Sequence, residues 1–214
     1  MINFPYTICY QNRKSLVICI REGEVFVKAP HIFSKDKIKE ILQDKKSWIE
    51  KKLKEHIIHN SLFLNVKQKK KILYRGREFA LILNSQKNTI VNYVFYFKNE
   101  RSIQKFFIEK FFSKIKQLLF AIAEKMQVQP SSLKLINFKA KWGSCDKLKN
   151  IKLNWRVYML PDSLLYYLLV HELAHIIELN HSNKFWQVVE KYCKSYKQLR
   201  KELKNYDFLT NLYR

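Results

Sequence analysis

The chain has 214 residues, of which 47% are hydrophobic, and a formal net charge of +23. This length and apolar content suffice for one folded domain or two small subdomains. No apolar run reaches about 18 residues, and no basic region followed by an apolar core opens the chain, so we predict neither a membrane span nor a signal peptide and expect a cytoplasmic protein. The four cysteines form no CxxC pair, which favours free thiols over a disulfide framework.

The first part of the chain, residues 1–100, is predicted to form a strand-rich N-terminal subdomain with one helix. Short strands, expected to pair as a β meander, are indicated at 8–10, 15–20 and 24–29. Apolar residues at helical spacing, opposite lysines, predict a helix that begins at Ser34 and ends near residue 59. A hairpin turning at Arg75 and Gly76 and a single further strand over 89–97 complete this half.

Residues 101–214 are predicted to form a second subdomain of the α+β class. A long helix ends before Pro130, and its buried stripe comprises Ile103, Phe107, Phe111, Ile115, Leu119 and Ile122. Two strands, around 133–140 and 151–158, are expected to be joined by a turn at the sequence WGSC. Pro161 suits the opening of a following helix. A last helix, capped by Ser182, is predicted to bury Phe185, Val189, Tyr192, Tyr196, Leu199 and Leu203.

The helix after Pro161 carries an HExxH stretch formed by His171, Glu172 and His175. On a helix, the two histidines fall about 40° and about 6 Å apart, close enough for both imidazoles to bind one ion. Random placement of residues produces such a stretch ~0.01 times in a chain of this composition. The pattern therefore indicates a zinc hydrolase centre, the alternative being paired polar residues on a structural helix.

A third ligand is expected from His181, six residues after the second histidine. A continuous helix would place His181 about 9 Å beyond His175 and about 120° away from it, so the helix must break first. Asn180 suits the left-handed turn that would end the helix. Glu178 is the rival third ligand, or else an acceptor behind one of the histidines. We favour His181, because a broken chain can direct its side chain toward the ion.

Zinc with three protein ligands keeps a fourth position open and lowers the pKa of bound water from 15.7 to about 7. Glu172 is placed to take the proton of that water as a general base and to pass it to the leaving group. The sequence thus predicts one Zn²⁺ ion bound by three histidines. Candidates for steadying a developing oxyanion, among which the sequence does not choose, are Arg156, Tyr158, Tyr166 and Tyr167.

The excess of 41 basic over 18 acidic residues has two possible origins. It would suit contact with a nucleotide, a nucleic acid or another polyanion. It would also follow in part from an AT-rich genome, which favours lysine codons. Because the lysines are scattered through every segment, a diffuse positive field is expected rather than a shaped groove.

Several motifs of the chain resemble those of the YgjP-like metallopeptidases, the DUF45 group, which are related to SprT-like and other zincins. The matching pieces, in the family's order, are WGSC at 142–145, IKLNWR at 151–156, LP at 160–161, HELAH at 171–175 and NHSNKFW at 180–186. Weaker matches are AP at 29–30, WI at 48–49 and YRGREF at 74–79, so the resemblance covers nearly the whole chain. Lys141 stands where family members often have arginine before WGSC.

The resemblance implies a zincin-like α+β fold in which the HExxH helix packs beside a small sheet. It implies zinc bound by His171, His175 and His181, with Glu172 as the general base and a peptide or protein as the substrate. The alternatives are a metal-dependent nucleoside triphosphate pyrophosphohydrolase and a nucleic-acid-associated protein with a secondary metal site. No membrane partner is expected.

The WGSC sequence has two interpretations. In the first it is a tight turn, in which Gly143 adopts an unusual backbone conformation and Trp142 packs on the core. In the second it borders the cleft and binds substrate through Trp142, Gly143 and Ser144, offering a strand edge to an extended peptide. Ser144 or Cys145 would then lie near the metal, where a thiol could act as an inhibitory ligand.

Overall fold

The computed structural model describes residues 2–21, 24–61 and 63–213, and for residues 21 and 55–61 only the backbone. Several small sheets and helices confirm the α+β class. The chain forms two compact units, Met1–Leu64 and Asn65–Arg214. The division lies earlier than the predicted one at 100/101. No helix in the described part of the chain combines the length and apolar composition needed to cross a lipid bilayer.

The first unit contains the three predicted strands, but they do not form a meander. The strands are β1 (Tyr6–Tyr10), β2 (Val17–Arg21) and β3 (Glu24–Ala29). Their order is β1-β3-β2, with β1 parallel and β2 antiparallel to β3. The strand β3 takes the centre because it is the most buried, with Val25, Val27 and Ala29 all in the core.

The predicted helix of the first unit is present as two helices, α1 (Lys35–Asp44) and α2 (Lys46–Ser61). The hydroxyl of Ser34 caps α1 as expected, accepting a hydrogen bond from the backbone N–H of Lys37 at 3.2 Å. The interruption falls at Lys45, whose φ and ψ are −92° and 6°. Ile38, Leu42 and Ile49 pack with β3 in the core of this unit.

The second unit begins within a short helix, α3 (Leu64–Lys67), which precedes a sheet in the order β4-β5-β7-β6. The strands are β4 (Lys71–Tyr74), β5 (Arg77–Ile82), β6 (Thr89–Val91) and β7 (Val94–Tyr96). The predicted turn is present, with Arg75 at φ 51° and Gly76 at φ 75°. The single strand expected over 89–97 is instead a hairpin, since Asn92 and Tyr93 adopt left-handed conformations.

The long helix α4 (Glu100–Met126) begins at a capping box formed by Asn99 and Ser102 and buries all six residues of its predicted stripe. Its aromatic residues pack on the preceding sheet: Phe107 stacks on Phe95 and Phe111 on Tyr74, with ring centroids 6.0 and 5.1 Å apart. This aromatic burial is the reason that β4–β7 belong to the second unit rather than to the N-terminal one.

The third sheet lies beside the HExxH helix and has the order β8-β10-β9. The strands are β8 (Ser132–Ile136), β9 (Gly143–Cys145) and β10 (Asn150–Asn154). The prediction of a turn at WGSC is therefore wrong, because Gly143–Cys145 pairs antiparallel with β10. The turn comes afterwards, where the carboxylate of Asp146 accepts hydrogen bonds from the backbone of Leu148 and Asn150 and Lys149 has φ 63°.

The remaining elements are a 3₁₀ helix (Trp155–Met159), α5 (Asp162–Ala174), α6 (Asn183–Tyr192), α7 (Tyr196–Leu203) and a second 3₁₀ helix (Lys204–Asn211). Ser182 caps α6 as predicted, accepting from the N–H of Phe185 at 3.3 Å. The predicted last helix is nevertheless two helices. Cys193, with φ −141° and ψ 82°, leaves the helical region and separates α6 from α7.

Candidate metal centre

The HExxH residues lie at the end of α5, which carries His171 and Glu172 and ends at Ala174. His175 occupies the capping position and still has helical backbone angles, φ −66° and ψ −17°. The chain then tightens: the N–H groups of Ile176 and Ile177 bond to carbonyls three residues back, at 3.0 Å each. The helix thus ends at Ala174, and the second histidine of the motif, His175, caps it.

The predicted helix break before His181 is present. The prediction that Asn180 adopts a left-handed conformation is wrong. Asn180 is not among the described residues with positive φ. The break occurs earlier, through the tightened turn after Ala174, and the Nδ1 atom of His175 lies 3.2 Å from the carbonyl oxygen of Glu178. These local hydrogen bonds satisfy the end of the helix, so no left-handed residue is needed to redirect the chain.

The structure brings His171, His175 and His181 together: one possible ligand atom from each lies within 4.8 Å of the other two. The Nε2 atoms of His171 and His181 lie 3.1 Å apart. Two nitrogens bound tetrahedrally to one zinc ion, at 2.0–2.1 Å each, would be separated by about 3.3 Å. The three imidazoles therefore suit zinc in their chemistry, and the separation of His171 and His181 is close to the tetrahedral value.

Glu178, the rival ligand, lies outside this cluster of candidate ligand atoms. Its backbone carbonyl faces His175 Nδ1 instead, and a hydrogen on Nδ1 would leave the Nε2 lone pair of His175 available to a metal. Glu178 thus contributes by orienting a neighbouring imidazole through its main chain.

Two aromatic side chains of α6 hold the three imidazoles. Phe185 is fully buried, and the centroid of its ring lies 4.5–4.9 Å from the ring centroids of all three histidines. The indole of Trp186 stacks on His181 at 5.6 Å and lies 5.8 Å from His171. Apolar spacing in the sequence predicts Phe185 as a core residue, and its position four residues after His181 is the signal that it also contacts the site.

Burial favours the metal-binding, uncharged state of His171 and His175. It lowers the pKa of His171 to about 3, with smaller contributions from His175, His181 and Arg200. Burial also lowers the pKa of His175. Since a depressed pKa favours the uncharged imidazole, both rings present nitrogen lone pairs at neutral pH.

Glu172 is 4% exposed, and its Oε2 atom is buried without a hydrogen-bond partner in the described part of the chain. Burial raises the pKa of Glu172 to about 8, and the positive charge of Lys141 opposes that rise. The carboxyl group of this residue, which directly follows His171 in the chain, therefore has one oxygen free to exchange a proton.

Gly143 makes room for this carboxyl group. A Cβ atom at position 143 would lie 2.5 Å from Oε1, 2.7 Å from Cδ and 2.9 Å from Cγ of Glu172. Gly143 is not a left-handed residue, contrary to the tight-turn interpretation, and it lies within β9. Glycine is needed here because the strand approaches the side chain of Glu172 closely.

The other WGSC residues differ in what they offer to a ligand. Trp142 is buried and donates its indole N–H to Asp207 at 3.0 Å, as expected for a core residue. Ser144 lies half-buried in the middle of β9. Cys145 is not in the histidine cluster, and burial raises the pKa of its thiol to about 11, so the thiolate that binds metal is disfavoured.

Three of the four oxyanion candidates are engaged elsewhere. Arg156 is fully buried and donates to the carbonyls of Leu212 and Tyr213, at 2.7 and 3.0 Å, thereby fixing the end of the chain. The hydroxyl of Tyr158 donates to the Phe111 carbonyl, and that of Tyr166 to the Tyr192 carbonyl. Tyr167 differs, because its ring packs edge-on against His171 at 5.9 Å.

Replacing His181 with alanine is expected to remove the metal, whereas the same replacement of Glu178 is expected to retain it. His181 supplies one of three clustered nitrogens, but Glu178 acts through its backbone, which alanine preserves. Zinc content per purified chain, measured by atomic emission after dialysis, distinguishes the two. Full zinc in His181→Ala together with loss from Glu178→Ala would reverse the ligand assignment.

One family model and two solved structures are similar to this chain. A family model described as "YgjP-like, metallopeptidase domain" matches residues 14–206. Among solved structures, the metallopeptidase zymogen abylysin of Pyrococcus abyssi is 25% identical, with a TM-score of 0.39 over 47% of this chain and 96% of that chain. The metallopeptidase zymogen jannalysin of Methanocaldococcus jannaschii is 26% identical, with a TM-score of 0.33 over 42% and 96%. No curated protein sequence matches significantly.

Proposed function

The chain belongs to the YgjP-like metallopeptidase family, and from this premise we propose that it hydrolyses peptide bonds, with one zinc ion held by His171, His175 and His181. The observation that carries the proposal is the cluster of three imidazoles beside the buried, unpartnered carboxyl group of Glu172. A bound zinc ion would act as a Lewis acid that activates water and polarises the oxygen under attack.

Glu172 serves as the general base in this proposal. A zinc ion held by the neighbouring histidines would favour the ionised form of Glu172, against the burial that raises its pKa. The carboxylate then accepts a proton from the attacking water and returns it to the amine nitrogen as the carbon–nitrogen bond breaks. The free Oε2 atom supports this role, because no hydrogen bond within the described residues competes for it. Tyr167, beside His171, is the candidate to donate a hydrogen bond to the developing oxyanion.

The strand β9 is proposed to position the substrate. It is an edge strand of its sheet, paired on one side with β10, and it packs directly against Glu172 through Gly143. An extended peptide that hydrogen-bonds to the outer edge of β9 would bring its backbone alongside the histidine cluster. Gly143 and Ser144 would then contact substrate chiefly through their main chain, while the buried Trp142 supports the strand from behind.

A nucleoside triphosphate remains the rival substrate, because the same chemistry acts on phosphoanhydrides and the chain is strongly basic. Such enzymes usually bind Mg²⁺ through several carboxylates. Within the described residues, the histidine cluster is the one group of three or more candidate ligands that could hold a metal. This donor set favours a single-zinc peptidase.

The test presents the zinc-loaded protein with a peptide library and, separately, with a panel of nucleoside triphosphates. We expect peptide cleavage, detected by mass spectrometry, that stops on chelation and returns when zinc is added. The nucleotides are expected to stay intact. Pyrophosphate release from nucleotides, without cleavage of any peptide, would replace the proposed function by its rival.

A further inference from the structure

A basic hollow adjoins the histidine cluster within the second unit. It has a volume of about 420 Å³ and lies on α6, α7 and the start of the last 3₁₀ helix. Its lining, here called the cationic pocket, consists of Trp186, Tyr196, Lys197, Arg200, Lys201 and Lys204. The pocket thus combines two aromatic walls with four positively charged side chains.

Trp186 connects this pocket with the predicted metal ligands. Its indole stacks on His181 and also, nearly parallel at 13°, on Tyr196, with centroids 5.4 Å apart. The guanidinium carbon of Arg200 lies 4.6 Å from the Trp186 ring centre, and the His181 ring lies 5.6 Å from it. Arg200 and His181 are therefore at most about 10 Å apart. Because an extended peptide advances about 3.3 Å per residue, a side chain within three residues of the scissile bond can reach the pocket.

Three of the four cations of the pocket lack an acidic partner within the described part of the chain. Within the described part of the chain, Arg200, Lys201 and Lys204 form no ion pair, and Lys197 has only a 3.8 Å contact with the exposed Glu190. Clustered like charges repel one another, and a bound anion would relieve that repulsion. The site thus presents positive charge that the folded chain itself does not neutralise.

Arg200 is positioned by its contact with Trp186 so that its guanidinium can bind a carboxylate. The guanidinium of Arg200 makes a cation–π contact with Trp186, and within the described part of the chain no hydrogen bond or ion pair engages its N–H groups, which can match the two oxygens of a carboxylate. The stacked pair Trp186 and Tyr196 fixes the platform on which Arg200 rests. Because Arg200 is already held by these contacts, it loses little side-chain entropy when an anion binds.

We propose that the cationic pocket is a substrate subsite that binds a carboxylate, either an acidic side chain close to the scissile bond or a free C-terminus. The inference rests on the proposed peptidase function and adds a specificity to it. Peptides carrying Asp or Glu at one position near the cleaved bond are favoured over their Asn or Gln counterparts.

The test measures peptide binding by fluorescence anisotropy, using zinc-loaded protein with Glu172→Gln so that the labelled peptides stay whole. Paired peptides differ by Glu or Gln at each of three positions on either side of the cleavage site, and by a free or amidated C-terminus. We expect one member of a pair to bind about ten-fold more tightly through its carboxylate. The pair that shows the difference identifies the source of the carboxylate.

Replacing Arg200 with alanine in the same background is expected to abolish this preference. Arg101→Ala, which removes an equal charge from α4 outside the pocket, is expected to leave it unchanged. If Arg200→Ala fails to fold, the double variant Lys201→Gln/Lys204→Gln removes two pocket charges without disturbing the stack on Trp186. We expect this double variant to weaken the preference about three-fold.

Equal affinity within every pair overturns the subsite, even if the wild-type protein cleaves peptides. Displacement of the labelled peptide by inorganic phosphate far more readily than by glutarate also overturns it, in favour of a phosphate site. A wild-type protein that cleaves no peptide counts against the proposed function, whereas a carboxylate preference that requires Arg200 would still establish the pocket.

Discussion

Replacing Glu172 with glutamine is expected to lower kcat/KM for peptide cleavage by about 10³-fold while zinc remains bound. Glutamine has nearly the same shape as glutamate and can still hydrogen-bond, but it cannot accept the proton of an attacking water. Because Glu172 is not in the histidine cluster, the three candidate ligands stay intact. Steady-state rates on the best library peptide, together with zinc content, measure both effects.

The matched control is Glu178→Gln, the same change on a carboxylate six residues further along. Glu178 faces His175 through its main chain, so zinc content and rate should stay within about two-fold of the wild type. Full activity of Glu172→Gln with one zinc bound would remove Glu172 from the mechanism. Loss of zinc from that variant would instead assign the carboxyl group to metal binding.

Replacing Gly143 with alanine is expected to reduce the rate about 10²-fold, the cost of displacing a catalytic group by about 1 Å. The added methyl group would overlap three atoms of Glu172, and the buried side chain has little space in which to move aside. Gly143 has no left-handed backbone, so alanine at this position is not strained by its own φ. The effect therefore isolates the contact between β9 and the carboxyl group of Glu172. Steady-state cleavage of the same library peptide measures the loss.

A double-mutant cycle tests this contact independently of catalysis. Gly143→Ala should lower the free energy of unfolding by about 2 kcal/mol in the wild type, a typical cost of overpacking. The cost should be much smaller in a Glu172→Ala background, where the overlapping atoms are gone. Chemical denaturation supplies the four values. The same cost in both backgrounds would show that β9 is disturbed for some other reason.

Local periodicity predicted the elements whose environment is set by their own spacing. The stripe on α4 from Ile103 to Ile122 is buried as expected, and the Arg75–Gly76 turn is present, because four-residue repeats and paired left-handed positions act over a few residues. Strand pairing was not predictable in the same way. The central strand of the first sheet is β3, the most buried of its three strands. Its parallel partner is β1, and β2 lies between these two strands in the sequence.

The candidate site likewise has features that local spacing predicted and features that it did not. The spacing of His171, Glu172 and His175, and the need for a break before His181, followed from helix geometry, and the structure brings the three histidines together. The manner of the break did not follow, since the turn after Ala174 depends on hydrogen bonds that compete with a left-handed Asn180. The engagement of Arg156 with the end of the chain was likewise hidden, because its partners lie more than fifty residues away.

The sequence by itself determined the candidate site of this protein: three histidines, with a glutamate next to the first of them, at spacings that allow one helix and one bend to bring the three imidazoles together. Only the tertiary structure decided why Gly143 must be glycine, how Phe185 and Trp186 hold the imidazoles, and where Arg200 lies. The physical reason is that helical spacing is a property of the local backbone. Close approach, stacking and charge clustering arise between segments whose packing is settled only when the whole second unit buries its core.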